Sequence, residues 1–388
     1  MRMLFFELLQ VAVGNRERLS RVPTAVEWSD LYEESERQAV TGILLQGIER
    51  LKASTDDTSN LPLELLLQWI GISEQIRQGN LSLTKRCKEL QGKLVEIGHE
   101  SSILKGQGVA LYYDEPLRDL RQSGDIDVYV GCGLKGTIEI AHRLGVEKPE
   151  WDYKHLHLDV FEDAEVEMHY RVEVLLNLRK NRRLQKWFQK HHDAVHGSRF
   201  KVQDGELVTP TVEFNVFYIL LHIYRHFLYE GVGMRQIVDY YFVLKRLNLN
   251  ANDNLKSNTN HTNRANFAIE AVKEFGMERF SKGLMWVMQE ALVMSREWML
   301  WEPDEKEGKY ILDEVMAGGN FGHHDERLQH GGGKWNTVKQ VCRHNWHLLS
   351  HYPSDVIWAP VWFLWHKCWK LKTKLLLSIN ANDNHNEN

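Results

Sequence analysis

The sequence has few cysteines, and they follow no pattern. The four are far apart along the 388 residues, without the spacing of a disulfide framework or of a zinc site: Cys87, Cys132, Cys342 and Cys368. Scattered single cysteines are typical of proteins that stay in a reducing compartment. This pattern favours the cytosol.

Long apolar runs are also absent. The residues from Met1 to Leu9 are interrupted by Glu7, so they lack the continuous apolar stretch of a signal peptide. No other run is long enough and apolar enough to span a bilayer. We therefore expect a cytoplasmic protein without a transmembrane segment.

Charge of one sign is not in large excess, since the net charge is −5 at pH 7. Such a balance gives no electrostatic reason to expect a long nucleic-acid duplex as partner, although local basic patches can differ. With 43% hydrophobic and 26% charged residues, the composition is that of an ordinary globular protein. Its length suffices for two or three packed units.

Hydrophobic periodicity divides the chain into helical regions around a short mixed segment. Val40, Ile43 and Ile48 recur at helical spacing near the N-terminus. Thr209-Pro210 is expected to begin a later helix, with the threonine as its cap. We predict an α+β fold in which a small mixed sheet is flanked by helical regions. The predicted boundaries are 1–100 for the N-terminal helical region, 101–175 for the αβ core, 176–379 for the C-terminal mainly helical region and 380–388 for a disordered tail.

Two aspartates alternate with apolar residues in the segment Asp125-Ile126-Asp127-Val128. Side chains along a strand point to opposite faces in turn, so the two aspartates face one way while the isoleucine and the valine face the core. Neighbouring carboxylates repel each other, and a divalent cation relieves this repulsion best. Carboxylate oxygens are ligands that Mg²⁺ prefers, usually together with water and phosphate. The pattern favours a site for metal-bound phosphates over a chance polar strand end.

A predicted hairpin downstream offers a third acid. The segments 156–161 and 166–172 both alternate strictly between apolar and polar residues. A carboxylate flanked by apolar neighbours, beside a metal-binding pair, is suited to accept a proton from a hydroxyl group. Glu167 and Asp159 both fit this description, and we favour Glu167.

A possible phosphate-binding turn lies upstream, where a short apolar run ends in Lys105-Gly106. Glycine lets a backbone N–H approach a phosphate closely, and lysine neutralises its charge. Arg118 and Arg121 precede the aspartates and are candidates for bidentate contacts to phosphate oxygens. The alternative is that both are ordinary solvated arginines.

These motifs resemble a known superfamily. Leu104-Lys-Gly106, Arg121-Gln-Ser-Gly-Asp-Ile-Asp127 and Val166-Glu-Met-His-Tyr170 are similar to motifs of nucleotidyltransferases whose core resembles DNA polymerase β. More narrowly, the chain resembles a family of uncharacterised bacterial nucleotidyltransferases. Stretches within 28–45 and 209–239 share in that resemblance.

The resemblance implies transfer of a nucleoside monophosphate from an NTP, the co-substrate, to a hydroxyl acceptor, with two Mg²⁺ ions as cofactors. Asp125, Asp127 and Glu167 are then both the catalytic residues and the metal ligands. The implied nucleotide-binding residues are Lys105, Gly106, Gln107, Arg118, Arg121, Ser123 and Gly124. The usual Gly-Ser of the superfamily is Gly-Gln here, so a serine contact to phosphate does not carry over.

The sequence does not identify the acceptor, although a small molecule is favoured over RNA. Candidate residues on the acceptor side are His169, His222, His226, Arg235 and Asp239. The histidines at 222 and 226 are four apart on a helix, a spacing that also suits zinc, although no third ligand is evident. The arginine and aspartate at 235 and 239 can instead form an ordinary helical ion pair.

Two further segments keep other functions open. The basic run Arg179–Lys190 predicts either a solvated helix face or contact with RNA, as in a toxin-like nucleotidyltransferase acting on tRNA. Val356–Lys374 places tryptophans beside lysines, which suits a helix docked on the core or peripheral contact with an anionic membrane. A catalytically lapsed scaffold or membrane-peripheral binding protein would keep the fold but lose Mg²⁺-linked NTP binding.

Overall fold

A computed structural model of the chain describes residues 1–202, 205–253, 261–320 and 348–386. The helices in these ranges are α1 (Arg2–Val13), α2 (Ala25–Arg37), α3 (Thr41–Ser54), α4 (Leu63–Glu96), α5 (Lys105–Ala110), α6 (Leu117–Leu120), α7 (Gly133–Arg143), α8 (Leu178–Lys190), α9 (His192–Val195), α10 (Val212–Tyr229), α11 (Met234–Asp253), α12 (His261–Phe275), α13 (Glu278–Leu292), α14 (Glu305–Gly318), α15 (Pro353–Val356) and α16 (Trp358–Asn386). The strands are β1 (Ser102–Ile103), β2 (Ile126–Tyr129), β3 (Glu150–Trp151), β4 (His155–Leu158), β5 (Val166–His169), β6 (Ser198–Val202) and β7 (Gly205–Thr209).

Five strands form one mixed sheet in the order β1-β2-β5-β4-β3, and β6 pairs with β7 in a separate hairpin. Within the five-stranded sheet β2 and β5 are parallel, whereas the other neighbours are antiparallel. β4 and β5 form the predicted hairpin, with His157 opposite Glu167. The expected fold class, a small mixed sheet among helices, is confirmed.

Two hydrophobic cores hold the elements together. The smaller one lies against the sheet, where Val128 and Met168 join Leu90 of α4 and Ile140 of α7. The larger one combines buried residues of α1–α3 with those of α10–α14. The helical regions before and after the sheet therefore share one core.

α10 begins two residues later than the sequence predicted. Thr209 is the last residue of β7 and pairs with Ser198, so it is part of a strand and does not cap the helix. Thr211 is the cap, because its side chain accepts a hydrogen bond from the N–H of Phe214 at 3.2 Å. Pro210 therefore links the strand to the helix instead of opening the helix.

α16 packs aromatic residues against the turn that precedes β4. The ring of Tyr153 makes edge contacts with Trp362, Trp365 and Trp369, at centroid distances of 5.2, 5.0 and 4.8 Å. This supports the docked alternative for the tryptophan-rich segment, although other large apolar residues of α16, such as Leu364, are exposed. Across the described ranges, no helix combines the length and the apolar character that crossing a membrane requires.

The segment 380–388, expected as a disordered tail, is helical as far as Asn386. Residues 387 and 388 lie outside the described residues. Extending an existing helix costs much less than nucleating a new one, because each added residue gains a backbone hydrogen bond. The polar composition that suggested disorder is therefore compatible with the end of α16.

A buried ion pair fixes α11 against the loop before β2. The guanidinium of Arg121 donates from Nε and Nη2 to the two carboxylate oxygens of Asp239, at 2.6 and 2.8 Å. The hydroxyl of Tyr113 donates to the same carboxylate at 2.7 Å. Asp239 is therefore paired across the fold with Arg121, where the sequence had suggested a helical pair with Arg235.

We predict that Asp239→Ala lowers the free energy of unfolding by about 3–5 kcal/mol, because it leaves a buried guanidinium without its carboxylate. Urea unfolding followed by circular dichroism measures this change. The control is Asp163→Ala, which removes the exposed partner of Arg86 and should leave the midpoint nearly unchanged. Equal midpoints for the two variants would contradict the structural role of the pair.

Candidate active site

Three acids meet at the junction of β2 and β5. The parallel register sets Asp127 directly beside Glu167, and Asp125 immediately precedes β2. One carboxylate oxygen from each of the three lies within 4.8 Å of the others. Asp159, the other candidate for the third acid, is exposed and lies outside this group.

The charges of the three acids are unequally compensated. Oδ1 of Asp127 lies 2.5 Å from Nζ of Lys105 and 2.7 Å from Nε2 of His169. Burial opposes the charge of Asp127, but these two partners outweigh it and hold its pKa well below the usual value. The charge of Asp127, followed by burial, raises the pKa of Asp125.

Lys105 and Gly106 form the turn that the sequence placed over a phosphate. Both have positive φ, 39° and 25°, at the start of α5. Gly106 faces the carbonyl of Asp125, and a side chain at Gly108 would lie 2.4 Å from the carbonyl oxygen of Ile103. The two glycines therefore let the chain pass close to β1 and to the residue that precedes β2.

A cavity of about 420 Å³ opens beside the acids. The turn, the strands β2, β4 and β5, and the helices α10, α11 and α16 all contribute to its lining. Its cationic side chains include Lys105, Lys154, Arg225 and Arg235. Burial, followed by the charge of Arg121, lowers the pKa of Arg235 to about 10, so its guanidinium remains charged at neutral pH.

Several of the expected nucleotide-binding residues have other partners. Arg121 lines the cavity, but its guanidinium is held by Asp239, and it also donates to the hydroxyl of Ser123 at 2.8 Å. Arg118 pairs with Glu115 at 2.9 Å and does not line the cavity. The contacts to Glu115 and Ser123 are local, whereas the pair with Asp239 joins residues 118 apart and could not be predicted from local sequence.

Gln107 and Gly124 differ in their access to the cavity. Gln107 is buried, and its side-chain amide bonds to Asn80 and Thr84 of α4. Gly124 lines the cavity one residue before the first acid. The backbone at Gly106 and Gly124 is therefore accessible to a ligand in the cavity. Gln107 instead anchors the turn to α4 through its side-chain amide.

The candidate acceptor-side residues lie in two places. His222, His226, Arg235 and Asp239 line the cavity from α10 and α11. His169 is fully buried behind Asp127 and does not line it.

The histidines of α10 have carboxylate partners. Nδ1 of His222 lies 3.0 Å from Glu173, and Nδ1 of His226 lies 2.6 Å from Glu230. In the part of the chain that the structure describes, the groups suited to hold a metal include neither histidine. The zinc alternative for this pair therefore has no support.

A buried carboxylate that the sequence did not point to contacts three of the residues that line the cavity. Glu173 is fully buried and faces Lys154, Arg225 and His222, at 3.7, 3.3 and 3.0 Å. Burial opposes its charge, but Lys154 and Arg225 outweigh that effect and keep its pKa well below the usual value. The only local signal was its position just after the alternating segment, and the partners come from distant elements.

His155 was also missed, although the alternation of β4 begins with it. Its Nδ1 lies 3.1 Å from Oε2 of Glu167. Burial, followed by the charge of His169, lowers the pKa of His155 to about 3, so the imidazole is neutral at pH 7. The alternation of β4, extended by one residue to its true start, predicts that His155 shares a face with His157.

The three acids fit a divalent cation. Their oxygens converge within the span of one coordination sphere, and like charge raises the pKa of Asp125, which is the repulsion that a cation relieves. Hard carboxylate oxygens are the donor set of Mg²⁺. The donor set is therefore compatible with the expected magnesium.

Three acids at two neighbouring inner strands of a small mixed sheet, beside a lysine–glycine turn, are the arrangement expected from the nucleotidyltransferase motifs. The chain belongs to the family described as uncharacterised nucleotidyltransferase, whose model matches residues 24–273, well over half of the sequence. This confirms the family resemblance inferred from the motifs. The matched range contains the turn, the three acids, α10 and α11.

Comparison with solved structures adds one distant similarity. An antigenic nucleotidyltransferase-like protein from Paracoccidioides brasiliensis, known from its crystal structure, is similar over 55% of this chain and 93% of its own. The sequence identity is 11% and the TM-score is 0.33, so the structural similarity is weak. No curated protein matches the sequence.

We predict that Lys105→Met tightens Mg²⁺ binding in the absence of nucleotide and weakens NTP binding, each by about tenfold or more. The ammonium competes with a cation for Oδ1 of Asp127 but attracts phosphate. Isothermal titration calorimetry measures both affinities. Lys148→Met, at an exposed position, is the control and should change neither. A parallel loss of both affinities would contradict the competition.

Proposed function

We propose that the protein transfers a nucleoside monophosphate from an NTP to a hydroxyl acceptor in a Mg²⁺-dependent reaction that releases pyrophosphate. One observation carries the proposal: Asp125, Asp127 and Glu167 converge beside a cavity that Lys105 and Gly106 also line. A cluster of carboxylates next to a cationic, glycine-containing turn suits a metal–triphosphate complex.

The three carboxylates are the proposed ligands of two Mg²⁺ ions, which supply charge stabilisation to the attacking and leaving oxygens when bound. The protein's contribution is to fix the ligands. Asp127 is buried and held by His169, so its carboxylate is oriented before any cation arrives. Such preorganised groups act without reorganisation during the reaction.

The triphosphate is proposed to lie along the Lys105-Gly106 turn and to reach Gly124. Lys105 would neutralise phosphate charge, and the backbone at the glycines is open to close approach. Arg121 and Arg118 are already paired with carboxylates. We therefore propose that Arg235, which lines the cavity, neutralises the remaining charge of the triphosphate.

In the proposed reaction the acceptor oxygen bonds to the α-phosphorus while the bond to the pyrophosphate oxygen breaks. Glu167 takes the hydroxyl proton as general base. Burial opposes its charge, but His169 and Lys105 lower its pKa, so it is ionised at neutral pH. His222 and His226 line the same cavity and are proposed to face the acceptor.

A small-molecule acceptor is favoured by the cavity volume of about 420 Å³, which falls in the range of small-ligand sites. Trp362 and His366 of α16 also line this cavity. Small hydroxyl compounds such as sugars fit this description. A cytoplasmic location stays a prediction from the scattered cysteines, of which Cys87, Cys132 and Cys368 are free.

An RNA acceptor is the second candidate, and one observation favours it. A cavity of about 900 Å³ lies along α8, lined by its basic residues Arg179, Arg182, Arg183 and Lys186. Tyr153 lines both this cavity and the one beside the acids. A tRNA end bound along α8 would thus lie next to the proposed site, and charge reversal on α8 would abolish its binding.

We predict that Asp125→Asn lowers transfer by at least about 10²-fold, the scale of losing one preorganised electrostatic group. The variant should fold with equal or greater stability, because it removes the charge that repels Asp127. The assay incubates each α-labelled NTP with a cell extract and locates the label in the small-molecule, RNA or protein fraction. Asp125 is preferred to Asp127 for this test, since the latter is buried with Lys105.

Asp159→Asn is the matched control, because it makes the same replacement at an exposed acid outside the group and should keep full activity. Full activity of Asp125→Asn would make the metal assignment wrong. A catalytically lapsed scaffold or membrane-peripheral protein would show no Mg²⁺-linked NTP binding even in the wild type.

A further inference from the structure

A second group of possible metal ligands adjoins the three acids and contains two imidazoles. β4 and β5 pair in antiparallel register, with His155 directly opposite His169. Glu167 lies two residues before His169 on the same face of β5. One donor atom from each of the three side chains lies within 4.8 Å of the others.

The distances within this group match those between neighbouring ligands of one ion. Oε2 of Glu167 lies 3.1 Å from Nδ1 of His155 and 3.4 Å from Nε2 of His169. Bonds of about 2.0–2.2 Å from a metal to imidazole nitrogen and carboxylate oxygen put adjacent ligand atoms roughly 3–3.5 Å apart. Both measured distances fall in that interval.

The nitrogen of His155 that faces Glu167 is buried without a hydrogen bond. Among the described residues, Nδ1 of His155 has no hydrogen-bond partner, although Oε2 of Glu167 is only 3.1 Å away. Buried polar atoms are nearly always satisfied, because leaving one without a partner costs about 1–3 kcal/mol. Two donor atoms that lie close together without bonding each other are arranged like ligands that share a third partner.

The outward nitrogens of both rings face oxygen acceptors. Nε2 of His155 lies 3.6 Å from a carboxylate oxygen of Asp152, and Nδ1 of His169 lies 3.3 Å from the carbonyl oxygen of Arg171. Before any ion binds, Nε2 of His169 donates to Oδ1 of Asp127 at 2.7 Å, and an ion would replace that proton. The inward nitrogens, Nδ1 of His155 and Nε2 of His169, both face Oε2 of Glu167, at 3.1 and 3.4 Å. Both imidazoles are thus oriented towards the same point.

We propose that His155, His169 and Glu167 form a binding site for a divalent transition metal such as Zn²⁺, distinct from the all-carboxylate magnesium site. Asp127, whose Oδ1 accepts the hydrogen bond from Nε2 of His169, adjoins this group but is not a member of it. Imidazole nitrogens suit zinc and related ions, whereas Mg²⁺ and Ca²⁺ select oxygen. His155 and Glu167 line the cavity, which gives an ion access to the site.

This inference goes beyond the proposed function and couples the two sites. Glu167 belongs to both groups of ligands, so an ion held by the imidazoles changes how that carboxylate serves the aspartates. Zinc bound at this site should therefore alter the affinity for Mg²⁺. The coupling is reciprocal, because linkage between two binding equilibria acts equally in both directions.

The test is calorimetric titration of Zn²⁺ into the full-length, nucleotide-free protein. We expect saturable binding of one ion by the wild type and at least about 10²-fold weaker binding by His155→Asn, since a direct ligand should matter more than an outer partner. His157→Asn is the matched control, because this histidine is exposed on the same strand and does not belong to the group. Asp125→Asn should retain zinc binding.

Thermal unfolding of each variant checks its folding, and His155→Gln serves as a second replacement if His155→Asn is unstable. Co²⁺ provides an independent readout, since its visible absorption reports ligation by imidazole and should disappear in the His155 variants. Equal zinc affinity of the wild type and the folded His155 variants, or absence of zinc binding in the wild type, overturns the inference. Zinc binding without NTP transfer refutes only the proposed function, and Mg²⁺-dependent transfer without zinc binding refutes only this inference.

Discussion

The parallel pairing of β2 with β5 is the constraint on which the candidate site depends. It is the only parallel contact in the five-stranded sheet, and it sets Asp127 beside Glu167 on one face. A shift of one residue in register would turn one of the two carboxylates to the opposite face. The buried neighbours Ile126 and Val128 oppose such a shift, because it would expose them. The hydrophobic core therefore determines where the acids lie.

Compensation of charge explains how so many ionisable groups are tolerated around one cavity. Lys105 and His169 hold Asp127, while Lys154 and Arg225 hold Glu173. A buried charge is costly unless it is paired, and each of these carboxylates has more than one partner. The pairs also keep the side chains in fixed positions before a substrate binds. The contacts that stabilise these buried charges therefore also fix the side chains around the cavity.

Local sequence patterns predicted which acids share a face, because side chains alternate between the two faces along a strand. The same reasoning identified the hairpin and the turn at Lys105. It could not predict that Arg121 pairs with Asp239, since that choice depends on how α11 packs against a loop 118 residues away. It also missed Glu173, whose partners come from separate elements. Its prediction of the start of α10 was wrong, because strand pairing of Thr209 outweighed the local Thr-Pro signal.

The helix α16 contributes to the lining of the cavity although it lies outside the range that the family model matches. Trp362 and His366 border the cavity, yet they lie beyond the matched range 24–273 that contains the acids. A substitution in α16 can therefore alter the lining of the cavity without replacing any of the carboxylates. The lining of the cavity thus comes from two parts of the chain, so its shape can change through α16 while the three acids keep their places.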